Sequence, residues 1–170
     1  MVMAKRKRKD ENLAKILTFF IRFNLFAIPL YVVMLTGFSL PALMHLTQGL
    51  ALAVLHVIGV PVSESGQFLV VPVSGGSFAA TVSWDSTGWK SILALLALIL
   101  ASDFAFEKKL KGLLLLPVIY ALNVLRIVFI FYAVHSWGVE YFAVLHETLW
   151  SLGMIIAVLA LWILWVRRVT

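Results

Sequence analysis

The stretch Pro41-Ala-Leu-Met-His45-Leu-Thr-Gln48-Gly-Leu-Ala-Leu-Ala-Val-Leu-His56-Val-Ile-Gly-Val60 decides how this chain is arranged. It has the length to cross a bilayer, which takes about 20 mostly apolar residues. His45, Gln48 and His56, however, fall near one helical face, interrupted by Leu52. A polar stripe of that kind suits an amphipathic helix lying in the interface or packed on a bundle better than a helix immersed in lipid.

Charge leads to the same choice. Four further stretches are long and apolar enough to span: Leu17 to Phe38, Trp89 to Phe106, Leu113 to Tyr132, and His146 to Val166. If 41–60 does not cross, twelve of the 14 Lys and Arg fall on one side: Lys5 to Lys9, Lys15, Arg22, the Lys108-Lys109-Lys111 loop and Arg167-Arg168. That arrangement obeys the positive-inside rule and puts both termini in the cytoplasm. If 41–60 crossed, the lysine loop would lie outside.

Composition bounds the class. With 62% hydrophobic residues and a mean hydropathy of +1.02 the chain is too apolar for a soluble domain. The expected fold is therefore an all-α integral membrane bundle, residues 1–170 forming one domain, with four transmembrane helices, the interfacial helix 41–60 and a small extracytoplasmic β-hairpin. The net charge of +6 sits beside apolar segments rather than on a mixed polar surface, so it reads as topology rather than nucleic-acid binding. Residues 1–14 are expected to be a disordered basic cytoplasmic tail. The apolar run that follows exceeds a signal peptide's core and has no small-residue cleavage site, so it is read as a retained anchor.

The hairpin is expected over 67–84, where Gln67 to Ser74 and Ser77 to Trp84 flank Gly75-Gly76. Cysteine is absent, which excludes disulfides and thiolate metal sites in this chain. No metal or organic cofactor is expected.

Three polar groups converge at the outer level of successive spans. Ser86, between Asp85 and Thr87-Gly88, stands where the hairpin passes into the second span, close to free helix amides that favour an anion. Asp85, Ser86 or Thr87 acting as a simple N-cap is the plainer reading of the same residues. Arg126 lies about 20 Å along the third span, where a guanidinium costs at least about 2.5 kcal/mol and must be paired, hydrated or used. Asn123 is one turn earlier on its face. His146 starts the fourth span and is the residue suited to proton transfer near neutral pH. His45, His56 and His135 are read as spectators. A nucleophile, a base and a fixed cation together make an acyl-transfer site.

In this order the residues resemble the exosortase/archaeosortase family of membrane transpeptidases. The matching motifs are Ser86-Thr87-Gly88 where that family has Cys-Thr/Ser-Gly, Asn123-Val-Leu-Arg126 for its Asn-x-x-Arg, and His146. The small size resembles the archaeosortase side. The resemblance implies a cysteine nucleophile at position 86, His146 as base and Arg126 as the carbonyl stabiliser. It also implies a partner: a secreted protein whose C-terminal signal combines a short motif, a membrane span and a basic tail. The acceptor would be a membrane lipid amine, or water. Ser86 departs from the pattern and implies a Cys→Ser form with little or no activity, because an alcohol is a far weaker acid than a thiol. A serine intramembrane protease using Ser86 and His146, and a non-catalytic membrane binding subunit, are the competing readings.

Overall fold

A computed structural model describes residues 2–148 and 152–170, with side chains from Glu11 onward. The described elements run α1 (Val2–Phe26), α2 (Ile28–Thr36), α3 (Pro41–Val57), β1 (Ser63–Ser65), β2 (Phe68–Val73), β3 (Gly76–Thr81), a 3-10 turn (Trp84–Thr87), α4 (Trp89–Ala101), α5 (Phe106–Leu113), α6 (Leu115–Trp137), α7 (Tyr141–Thr148) and α8 (Met154–Val169).

The chain is mainly helical, but the expected spans are cut differently. The first is bent by 40° between α1 and α2, because Pro29 sits in the first turn of α2 and cannot donate to the carbonyl a turn earlier. Residues 2–14, expected as a disordered tail, lie within α1. The second span ends at Ala101 rather than Phe106. There Ser102 Oγ donates to Leu98 O at 2.8 Å and Lys109 Nζ to Leu100 O at 2.7 Å, which satisfies carbonyls at the helix end. The third span forms with α5 a unit of 32 residues, Phe106–Trp137, long and apolar enough to cross a membrane. The bent α1–α2 pair passes the same test as one span, whereas α3 and α4 are shorter apolar helices. In the fourth expected span His146 lies within α7, which starts earlier, at Tyr141, and α8 runs from Met154 to Val169. Residues 149–151 of that expected span lie outside the described residues.

The hairpin is present within a three-stranded antiparallel sheet of order β1-β2-β3. Val73 pairs with Gly76, so the two-residue turn is Ser74-Gly75, one residue earlier than expected. Gly75 has φ +88, the left-handed backbone that such a hairpin turn requires.

Among the described residues the apolar core falls into two clusters. In one, α1, α4, α6 and α8 meet through Leu95, Ile99, Ile119, Val158 and Trp165, with Phe19 and Trp162 against them. Arg22 pairs with Asp103 at 3.2 Å beside this cluster. Lys108 donates to the carbonyl of Val169, next to Arg167 and Arg168, so these basic residues gather at one end of the bundle. In the other cluster, α3 and α6 pack on one face of the sheet through Ala51, Leu55, Leu69, Val71, Ile127 and Phe131. The polar stripe of α3 is split by this packing: Gln48 is buried and donates to Glu64 Oε1 at 3.0 Å, while His45 and His56 stay exposed.

Candidate active site

The seam between the two clusters is the turn from β3 into α4. Gly88, at φ +83, redirects the chain there and is the residue preceding the first turn of α4. A Cβ at Gly88 would lie 2.7 Å from Asn123 Cγ, so glycine is required both for the turn and for the approach of α6. Asn123, on α6, is buried and donates through Nδ2 to the Ser86 carbonyl at 2.8 Å. One turn later Arg126 Nη2 reaches the same oxygen at 3.3 Å. The Ser86 backbone is thus held by two donors from one helix face.

None of Asp85, Ser86 and Thr87 caps α4 with its side chain. Asp85 forms an ion pair with Lys90 at 2.8 Å. Thr87 Oγ1 donates to Trp84 O at 2.9 Å, and Ser86 Oγ lies 3.0 Å from Ser83 Oγ. The N-cap reading of this segment is replaced by a 3-10 turn tied together internally.

Ser86, Arg126 and His146 line one small cavity of about 40 Å³, together with Thr81, Phe131 and Phe142. His146 stacks on Phe142 at 5.2 Å between ring centres. Burial lowers the pKa of its imidazole below the ordinary 6.5; the Arg126 charge lowers it further, and Glu147 acts in the opposite sense. A cavity that holds a hydroxyl, a largely neutral imidazole and a guanidinium has the groups for acyl transfer. A larger groove, about 490 Å³, opens on the other side of Arg126 between α2, α4, α6 and α8, lined by Asn123, Asp85 and apolar residues such as Leu98 and Val158. Asn123 Oδ1 is buried there with no hydrogen-bond partner among the described residues.

A family model described as transmembrane exosortase matches residues 9–166. The chain belongs to the transmembrane exosortase family. Exosortases are membrane transpeptidases with cysteine-type protease chemistry, acting on secreted proteins that carry C-terminal sorting signals. The family and the apolar α5–α6 unit make this a membrane protein. No curated protein and no solved structure matches the chain.

Several contacts of the candidate site were not foreseeable from residue types. Trp84 stacks on Trp89 at 5.4 Å and Phe38 meets Trp84 edge-on at 6.3 Å, bracing the turn from the segment that follows α2. Ser83 gave no signal as a partner. Phe142, four residues before His146, would have been visible as a helical neighbour had the helix been started at Tyr141. Two of the other histidines have structural contacts: His56 Nε2 lies 3.0 Å from Val62 O, and His135 Nδ1 lies 2.7 Å from Pro72 O.

Proposed function

We propose that this exosortase is a sorting transpeptidase of the archaeosortase type, arrested by Ser86 at its nucleophile position. Four crossings serve it: α1–α2, α4, α5–α6 and α8, with both termini cytoplasmic and the seam on the outer face. The observation that carries the reading is the double anchoring of the Ser86 carbonyl by Asn123 and Arg126 beside a cavity shared with His146.

In the Ser86→Cys form the thiol gives its proton to His146 and sulfur attacks the carbonyl carbon of the substrate peptide bond. Arg126 shifts from the Ser86 carbonyl to the developing oxyanion, an interaction strongest in the transition state. The tetrahedral intermediate collapses, the C–N bond breaks, and the amine of the departing segment takes the proton from His146. A thioester remains. A lipid amine then attacks it, His146 accepts the amine proton, and the thiol is regenerated; attack by water gives hydrolysis instead. The substrate's span approaches sideways along the groove bordered by α2, α4 and α8.

An alcohol is a far weaker acid than a thiol, so His146 serves a cysteine at position 86 better than the serine, which disfavours a native serine nucleophile. The test is restoration: Ser86→Cys in cells that secrete proteins with C-terminal spans should release the C-terminal segment and add one lipid-amine mass to the new C-terminus. Cleavage by the Ser86 chain, lost on Ser86→Cys, would instead make it a serine protease.

A further inference from the structure

The sheet has two edges, and they differ in how they are guarded. β1 is three residues long and carries Glu64, held by Gln48; a short, charged edge strand resists pairing with another chain. β3, Gly76-Ser-Phe-Ala-Ala-Thr81, has six residues with no charge and no proline. It is the unguarded edge.

Its register determines which groups it offers. The two-residue turn makes Val73 and Gly76 a hydrogen-bonded pair, so Phe78 and Ala80 also bond to β2, while Ser77, Ala79 and Thr81 turn their N–H and C=O groups outward. Pro72 opposite Ser77 fits this phase, because a non-bonded pair needs no donor from proline. The contact of His135 Nδ1 with Pro72 O fits it as well, placing that carbonyl on the side away from β3. Ser77, Ala79 and Thr81 are exposed, and among the described residues no other backbone group takes up their outward N–H and C=O.

The edge also leads somewhere. Ala80, Thr81 and Val82 line the same small cavity as Ser86, Arg126 and His146. From Ser77 to Thr81 it offers about 13 Å of strand, enough for a short extended peptide. We infer that the free edge of β3 is the docking strand for the sorting signal: the extended segment just ahead of the cleaved bond adds to it as a parallel fourth strand. This rests on the transpeptidase reading above. Main-chain hydrogen bonds supply affinity, and the chain leaves Thr81 with its next carbonyl in the cavity. Arg126, which borders both cavity and groove, marks where the peptide passes from the sheet to the membrane.

Proline at position 79 separates this role from folding, because the N–H it removes points outward and not to β2. In the Ser86→Cys form, mixed in membranes with secreted proteins bearing C-terminal spans, intact mass spectrometry reads the acyl-thioester. Ala79→Pro should slow its formation about tenfold, as expected for a lost hydrogen bond whose partner is left unpaired. Hydrogen exchange should find Phe78 and Ala80 still protected; if they are not, Ser77→Pro, which also removes an outward N–H, decides by the same rate. In the acylated protein the Ser77, Ala79 and Thr81 amides should become protected. Equal acylation rates with and without the proline would overturn strand addition alone. No thioester in the Ser86→Cys form itself would overturn the transpeptidase reading and this inference together. Outward amides already protected without substrate, increasingly so at higher protein concentration, would reassign the edge to pairing between two copies.

Discussion

The two halves of the molecule use their polar residues in opposite ways. At the basic end, polar groups finish helices: Ser102 bonds to Leu98 and receives Trp162, Lys109 closes α4, and Arg22 meets Asp103 in an exposed pair. At the seam, Asn123 and Arg126 spend their donors on a turn outside their own helix, and Asn123 keeps a buried acceptor without a partner. Burying such groups is unfavourable unless something is gained. A bundle that needed only to fold gains nothing from placing them there, and the contrast supports the proposal of a site at the seam.

Substitutions can break this comparison, since those at the seam should alter chemistry and those at the basic end only stability. The largest effect is expected from His146→Ala in the Ser86→Cys background, a loss of about 10²–10⁴ in acylation rate by single-turnover mass spectrometry. Arg126→Gln there should lose about 10²–10³, with the melting temperature changed far less than the rate.

Gly88→Ala tests the seam's geometry. The left-handed backbone and the contact with Asn123 together should cost about 2–4 kcal/mol in denaturant titration, and acylation should fall as well. The matching change at the basic end is Gly112→Ala, where a Cβ would meet Ile99 and Trp165 at 2.9 Å. It should cost about 1–3 kcal/mol while the acylation rate of the folded fraction is unchanged.

A smaller effect is expected from pH. Because burial and Arg126 lower the His146 pKa, the imidazole loses its proton at lower pH than usual, and the base form persists below 6.5. Acylation by the Ser86→Cys form should therefore fall only under more acidic conditions, and Glu147→Gln, which removes the opposing influence, should move that limb further down. Asp103→Asn should be the smallest change, leaving rate and melting temperature alike, since its partner is a solvent-exposed arginine.

Much of the site was legible because its spacing is local. Asn123 and Arg126 share a helix face by their three-residue separation, and the turn into α4 was marked by Ser86-Thr87-Gly88 after a hairpin signalled by Gly75-Gly76. Arg22, Lys108 and Arg168 were grouped by charge before the structure brought them to one end. What escaped depends on tertiary context. β1 is too short and polar to show alternation, and it exists because β2 offers it an edge. Pro29 announced a bend, but an unbroken apolar run concealed it. The sequence places the start of a helix at His146, whereas that helix starts five residues earlier, at Tyr141. The stacking of Phe142 on His146 follows only once the helix is seen to start at Tyr141.

The most direct measurement is intact mass spectrometry of the Ser86→Cys protein taken from membranes containing secreted partners with C-terminal spans. A thioester adduct that is absent from the Ser86 chain and lost with His146→Ala is the expected result. A Ser86→Cys protein that stays unmodified beside partners shown to be present would contradict acyl transfer at this seam.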